Sequence, residues 1–461
     1  MQQNTLITVY ITNYNYSLYV KQAIDSVLQQ TCQDFELLII DDGSTDNSRE
    51  IIEEYRNHQK IQIIYQKNRG LNYSNNIAIR IAQGKYIMRL DADDYLDPRA
   101  LEEMSNELEK DSELGLIFPD YYYVDSEGTI TGEERRHDFK NDVSLFDQPA
   151  HGACTMIRLK YLRDLGGYND TFTCQDGYDL WIKFIYHHKV SNINKPLFYY
   201  RKHDTNLTRD EGRILETRRE INQKFIDLYY GKKSTLAIIP VRKTHIGDTI
   251  LPLYVTTNGK TILENLIEQA SLSENIDSVV VTSEDDEILN HAINLKDYFP
   301  KLCIISRPEE YAQINEPLNR SIYHILDSFE EIGRIPEAIM ILSIDYPFIK
   351  TDHIDDAINT MTIFKTDSLL SVRPDTRTFF QHNGHGMTPI LNQDSYTRYE
   401  REALYKGAGG IVSSTVENFK INKKMASGKI GHVIVDQRTA FGIFSDFDMY
   451  LFKLMDGEMG E

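Results

Sequence analysis

Strand and helix patterns alternate in both halves of this 461-residue chain, which predicts an α/β fold of two Rossmann-like doubly wound sheets in tandem. Three observations carry that expectation. Short β-branched runs recur between amphipathic segments from Leu6 onward. Two acidic clusters, Asp41-Asp42-Gly43-Ser44-Thr45-Asp46 and Asp91-Ala92-Asp93-Asp94, stand where two of those runs end. The alternation then restarts at Thr235, after the polar stretch Gly231-Lys232-Lys233-Ser234. A chain of this length exceeds one ordinary core, so the domains are set at 1–231 and 232–461.

The elements follow in order. Leu6–Thr12 is a β-branched strand, and Leu18–Gln29 spaces Val20, Ile24, Val27 and Leu28 as one face of a helix. Phe35–Ile40 reads as a buried strand, and Asp46–Tyr55 as a helix capped by Asp46 or Asn47. Ile61–Tyr65 is a third strand, Asn72–Ala82 a helix closed by Gly84, and Tyr86–Leu90 a fourth strand. Such alternation predicts a parallel sheet with helices on both faces. Further on the pattern loosens: a helix at Pro98–Glu109, a strand at Leu114–Pro119, a long polar loop over Asp125–Asp142, and a helix at Gly212–Tyr230. The second half offers strands at Thr235–Pro240, Ser278–Thr282, Leu302–Ser306, Ala338–Ile344 and Ser368–Val372, with helices between them.

Composition excludes several classes. A formal net charge of -20 leaves no excess of Lys and Arg to neutralise a polyanion, so nucleic acid is not an expected partner. Four cysteines, Cys32, Cys154, Cys174 and Cys303, show neither zinc spacing nor a disulfide framework and read as reduced cytosolic thiols. The N-terminus has no secretory pattern. No apolar run reaches the roughly 18 residues of a membrane span. The expectation is a cytoplasmic protein, with peripheral attachment at the inner face of a membrane still compatible.

Ligands of open α/β sheets bind outside the carboxyl ends of the strands, so both acidic clusters are expected to face one crevice. An Asp-x-Asp there can hold a hard divalent cation, and the cation can grip a diphosphate.

Five ordered segments carry a resemblance: Ile11-Thr12-Asn13-Tyr14-Asn15, Ser26 to Thr31, Asp41 to Asp46, Asn68-Arg69-Gly70-Leu71 and Leu90 to Asp94. Together they resemble the family 2 glycosyltransferases of GT-A fold over roughly residues 5 to 205. The resemblance implies inverting transfer of a sugar from a nucleoside diphosphate to a hydroxyl of a glycan, lipid-linked or protein acceptor, with Mn2+ or Mg2+ as cofactor. Asp42, beside Asp41, matches the position that accepts from the base, and Arg69 stands near the nucleotide. Asp93 matches the metal-ligating acid. Asp91 is either a second ligand or the acceptor of a loop hydrogen bond.

The segment Thr173-Cys174-Gln175-Asp176-Gly177-Tyr178-Asp179-Leu180-Trp181 resembles the family's acidic pair before a Leu-Trp helix, with Gln175 in place of the usual first acid and one extra residue before Leu180. The general base is therefore Asp176 or Asp179. Asp176 holds the matching place, whereas Asp179 sits where a helix N-terminus favours a carboxylate anyway. Trp181 is expected in the core. Tyr199 to His203, followed by Asn206-Leu207-Thr208, resembles the family's closing segment, in which His203 would complete the metal shell or meet a phosphate. His151 to Cys154 and Gly166-Gly167-Tyr168 fit an acceptor-side loop and a turn.

Residues 235 to about 455 resemble acylneuraminate and Kdo cytidylyltransferases, through Ile238 to Arg242, Asn258 to Leu263, Val279 to Ile288 and Gly428 to Gly431. The chemistry-bearing segments depart from that family. Lys243-Thr244-His245-Ile246-Gly247-Asp248 lacks the paired glycines that cradle triphosphate, and Phe441 to Asp446 lacks the expected acids at Gly442 to Phe444. Arg242, Lys243 and Asp345 remain as nucleotide-site candidates. A nucleotidyltransferase-like domain without turnover, able to bind a nucleotide sugar or to pair two copies of the chain, is favoured over one that activates a sugar with CTP.

Overall fold

The computed structural model describes residues 5–134, 152–172, 174–202, 211–313, 316–375, 377, 379–382, 384, 386–390 and 404–457. It divides into two compact units, Met1–Arg218 and Arg219–Glu461.

The first unit runs β1 (Ile7–Asn13), α1 (Val20–Leu28), β2 (Phe35–Asp41), α2 (Ser48–Glu53), β3 (Ile61–Tyr65), α3 (Leu71–Ile81) and β4 (Tyr86–Asp91). It continues with β5 (Tyr95–Leu96), α4 (Ala100–Lys110), β6 (Leu114–Val124), β7 (Ile130–Glu134), β8 (Met156–Arg158), α5 (Leu159–Asp164), α6 (Asp176–His187), β9 (Lys189–Arg201) and α7 (Glu211–Tyr229), the last crossing the division. Apolar side chains at helical spacing on α1, Val20, Ala23, Ile24 and Val27, are fully buried in one cluster with Val9, Ile11, Leu37 and Ile39 of the sheet.

The strand order is β3-β2-β1-β4-β8-β6-β9-β5, with β7 on β6. β1 pairs in parallel with both β2 and β4, so the chain reverses its direction of winding at β1, and the crevice of such a sheet opens beyond β1 and β4. The expectation of a parallel sheet needs correction past β4. β8 is antiparallel to β4 and β6, and β6 is parallel to β9 through a register that shifts three times. Polar residues and Pro196 break the alternation of β9, which hides a thirteen-residue strand from periodicity. Within the loop expected at Asp125–Asp142, Ile130–Glu134 pairs with β6.

The second unit continues β10 (Thr235–Pro240), β11 (His245–Ile246), β12 (Thr249–Ile250), α8 (Ile262–Leu272), β13 (Ser278–Ser283), α9 (Asp286–Asn294), β14 (Leu302–Ser306) and α10 (Asn319–Glu331). Then come β15 (Ala338–Leu342), α11 (Thr351–Phe364), β16 (Ser368–Asp375), β17 (Phe380–His382), β18 (Met387–Pro389), β19 (Leu404–Thr415), α12 (Val416–Asn422), β20 (Ile430–Ile434) and α13 (Asp446–Gly457). Its main sheet runs β14-β13-β10-β15-β19-β16-β20. The first four strands are parallel and β19 is antiparallel to both neighbours. Both units are therefore α/β, each opening with its third, second, first and fourth long strands side by side. Among the described residues no helix is long and apolar enough to cross a membrane.

Candidate functional site

The crevice of the first unit is built from the turns after β1, β2 and β4. Asn13 closes β1, and its Nδ2 donates to Asp41 Oδ2 at 2.8 Å and to Ser44 Oγ at 3.0 Å. Ser44 N–H in turn donates to Asp41 Oδ1 at 3.0 Å. Asn15, in the left-handed region at φ 63°, accepts from Thr45 N–H at 2.7 Å and staples the β1 turn to the β2 turn. Asp46 does not cap α2 from the N-cap position, which Asn47 holds; its carboxylate accepts from Ser48 N–H and Ser17 N–H.

Asp42 accepts three hydrogen bonds from the chain: Gln66 Nε2 at 2.7 Å, Arg69 N–H at 2.9 Å and Gly70 N–H at 2.8 Å. A carboxylate offers about four acceptor directions, so one remains beyond these three. Arg69 is exposed, with its guanidinium 3.5 Å from the centre of the Tyr73 ring. Gly43 makes this approach feasible: at φ +80° a Cβ there would lie 2.7 Å from Asn68 N.

Beyond β4 the chain turns sharply, Asp94 N–H donating to Asp91 O at 3.1 Å. Asp93 and Asp94 are buried and Asp91 is partly exposed. Burial, reinforced by Asp93 and Asp91, holds the Asp94 carboxyl well above the usual range. Burial and the same acids push up the Tyr16 phenol, and burial with Asp94 pushes up the Cys154 thiol. The turn thus concentrates negative charge in a low-dielectric place. That donor chemistry suits a hard cation, but among the described residues no three His, Cys, Asp or Glu side chains form a ready-made site. Asp93 and Asp91 could hold Mn2+ or Mg2+ only with further oxygens from a diphosphate or water. His203 lies outside the described residues, as does His151.

Two buried arginines, which motif reading passed over, flank this turn. Arg201 ends β9 at 1% exposure: its N–H donates to Asp94 Oδ1, its Nε to Asp93 O, its Nη1 to Asp125 O and Ser126 O, and its Nη2 to Gln22 Oε1. Arg89, within β4, stands 3.0 Å from Asp91 through Nε. The signal was present in Ile87-Met88-Arg89-Leu90, since a charge inside a fully buried strand must find a partner.

In the segment expected to carry the general base, Gln175 adopts φ 59° and α6 starts at Asp176, with Tyr178 and Asp179 N–H donating to Gln175 O. Asp179 is 6% exposed and 2.6 Å from Lys183 Nζ, so its carboxylate serves the helix. Trp181 is buried edge-on to Phe118, as its place in the first half of an apolar helix predicts. Gly166 and Gly167, both at positive φ, form the tight turn after α5.

In the second unit, Arg242 follows β10 and its Nη2 donates to Gln313 O at 2.6 Å. Its charge is felt by Asp345, whose carboxyl burial raises and Arg242 lowers, and by buried Arg307. Arg307 is held by Glu284 and by Val241 O. Lys243 turns away to Asp285 and Glu287 at the start of α9. Residues 245–250 fold as the tight hairpin β11-β12 around Gly247. The ring of Tyr346 lies against β19, where a Cβ on Gly409 would fall 2.1 Å from its hydroxyl.

Similarity to known proteins is concentrated in the first unit. Residues 8–166 match the family model for glycosyl transferase family 2. Chondroitin synthase of Escherichia coli is 31% identical over 204 residues, 44% of this chain but 30% of that protein. The chain likewise spans 21% of the chondroitin synthase of Pasteurella multocida, so it covers less than a third of either relative. Staphylococcus aureus TarS 1–349 in complex with UDP-GlcNAc gives a TM-score of 0.44 at 14% identity, covering 87% of this chain and 99% of that one. The matched family segment ends well before residue 232, and the cytidylyltransferase-like reading of the second domain receives no support from it. An uncharacterized glycosyltransferase of Methanocaldococcus jannaschii is 32% identical over 205 residues, 42% of this chain and 70% of that protein. With that share of a whole relative matched and the family model met from β1 to α5, the chain belongs to glycosyl transferase family 2.

Proposed function

We propose that the first unit moves a sugar, with inversion, from a nucleoside-diphosphate donor to a hydroxyl of a glycan, lipid-linked or protein acceptor, with Mn2+ or Mg2+ as cofactor. The observation that carries this reading is the buried acidic turn Asp91 to Asp94 at the reversal point of the sheet, beside the braced turn Asp41 to Asp46. Two relatives are named chondroitin synthase and hyaluronan synthase, which makes assembly of a glycan the first acceptor chemistry to test.

In the transfer, the acceptor oxygen bonds to the anomeric carbon as the bond from that carbon to the diphosphate breaks, and the acceptor proton passes to a carboxylate. Asp176, opening α6, takes that proton, because Asp179 is already paired with Lys183. Asp42 receives a donor of the base in its remaining acceptor direction, Asp41 holds the turn that presents it, and Arg69 lies at the nucleotide's edge. Asp93 and Asp91 would hold the cation, with His203 assigned on family grounds alone. When bound, the cation balances the charge that builds on the departing diphosphate.

For the second unit we infer a site that binds a phosphate-bearing ligand through Arg242, beside Asp345, without CTP turnover, and a homodimer formed through this unit belongs to the same reading. The hairpin at 245–250 favours it, since a paired hairpin cannot offer the row of free N–H groups that cradles triphosphate. A cytoplasmic location, peripheral to the inner face of a membrane, fits an enzyme that uses activated sugars.

The test is nucleotide release from a panel of UDP-, GDP-, dTDP- and CMP-sugars, with and without manganese. Metal-stimulated release from one donor supports the reading. No release from any donor, together with no nucleotide binding by calorimetry, rules it out.

A further inference from the structure

Arg89 is an odd residue for its position. It lies on β4 opposite Tyr10 of β1, in the parallel heart of the sheet, and is 6% exposed. A guanidinium does not shed its proton, so the fold accepts a permanent buried charge there and must hold it by contacts.

Those contacts point in two directions. Toward the crevice, Nε and Nη2 lie 3.0 Å and 3.5 Å from the two carboxylate oxygens of Asp91. Toward the acceptor side, the guanidinium carries the backbone of Gly152: a Cβ there would stand 3.2 Å from Nη2 and 3.4 Å from Cζ and Nη1. The same residue's carbonyl accepts Cys154 N–H at 2.8 Å, so strand and loop are clamped together. Gly152 then meets α6, since a Cβ on Gly177 would lie 3.4 Å from Gly152 N. Gly177 is the neighbour of Asp176. A contiguous path of packed groups thus runs from Asp91 through Arg89 and Gly152 to the first turn of α6.

We propose that Arg89 is a positioning residue: it fixes the distance between the acidic turn that receives the donor diphosphate and the start of α6, where the acceptor proton is taken. This rests on the transferase reading above. The path is tightest at Gly152, where a Cβ would crowd the guanidinium, while at Gly177 a Cβ would meet Gly152 at ordinary contact distance. Proximity is steep in its effect, a displacement of about 1 Å at a reacting pair costing up to roughly 100-fold in rate.

Two variants of the full chain test it, with the donor that wild type turns over best. Gly152 has no positive φ, so Gly152→Ala is conformationally allowed and acts by displacing the guanidinium. Arg89→Lys keeps the charge but loses the fork that spans Asp91 and the loop. Both are expected to lower kcat for nucleotide release by roughly 10- to 100-fold, while the calorimetric dissociation constant of the nucleoside diphosphate changes by less than about 2-fold. The inference is overturned if Gly152→Ala keeps wild-type kcat, or if both variants lose donor affinity in proportion to kcat. Should Arg89→Lys fail to fold, Gly152→Ala alone decides. A wild-type chain that binds and turns over none of the panel sinks the transferase reading, and this inference with it.

Discussion

Each unit begins its sheet with the same parallel order of four strands, yet the charges at the two reversal points are opposite in kind. In the first, six aspartates from two turns gather at the ends of β2 and β4, with Arg89 and Arg201 buried behind them as counter-charges. In the second, Arg242 stands forward, Arg307 is buried beside it and paired with Glu284, and Asp345 is half-withdrawn. A carboxylate cluster meets a diphosphate only through a cation, whereas a guanidinium meets phosphate directly. The fold sets where a ligand lies; the side chains at the strand ends decide which chemistry it meets.

The largest break in this comparison should come from Asp93→Ala. Its carboxylate belongs to the acidic turn proposed to hold the cation and adds little to the apolar core, so metal-stimulated nucleotide release should vanish while the thermal transition stays in place. A variant with full release would remove the metal role from the first unit and leave the two units without their expected contrast.

Next come the two acids of α6. Asp176→Asn should cut turnover by about 100-fold or more, with donor binding retained. Asp179→Asn should instead cost about 1–3 kcal/mol of stability, since it leaves Lys183 without its 2.6 Å partner in a largely buried place, and should spare turnover. The reverse pattern in a donor-release assay and a melting curve would exchange the two assignments.

The second unit gives the next test. The full chain, supplied with CTP, magnesium and sialic-acid-like or Kdo-like sugars, should release no pyrophosphate above background. Robust release would show that the β11-β12 hairpin opens into a triphosphate cradle and that the two units are both enzymes.

How far the sequence carries depends on whether chemistry and periodicity agree. β1 to β4 were legible because short apolar runs alternate with helix-spaced segments and two of them end on aspartate turns; Leu6–Thr12 and Ile7–Asn13 differ by one residue at each end. The boundary at 231–234 was read from composition, whereas the division at Arg218 and Arg219 falls inside a continuous helix that carries no punctuation. β9 was missed because its partner strand shifts register three times and its own pattern is broken by Pro196. The acids of the site were legible as motifs. Arg89 showed itself only as a charge inside an apolar strand, two residues from its partner Asp91, and Arg201 not at all, because it meets Gln22, Asp93 and Asp125 across the fold.

The smallest expected effect contrasts the pH response of the two units. Asp94 has its carboxyl held high by burial and by Asp93 and Asp91, so below that raised value the native state binds more protons than the unfolded chain. Stability from this group is therefore lost as pH rises. Asp436 is the opposite case: His353 at 3.7 Å, aided by Thr439 and opposed by burial, holds it below the usual carboxylate range. Its contribution is present at neutral pH and is lost as pH falls below the ordinary carboxylate value of about 3.9. In EDTA, Asp94→Asn should gain Tm relative to wild type as pH is raised from acid to neutral. Asp436→Asn should lose Tm at neutral pH and converge on wild type in acid. The second shift should be the weaker, because the Asp436 side chain is 45% exposed and solvent screens its pair. With about 2–4 °C per kcal/mol in units of this size, melting curves at several pH values resolve both signs. Parallel pH slopes for the two variants would mean that the acids of the two sheets are buried alike, and would remove the electrostatic contrast between them.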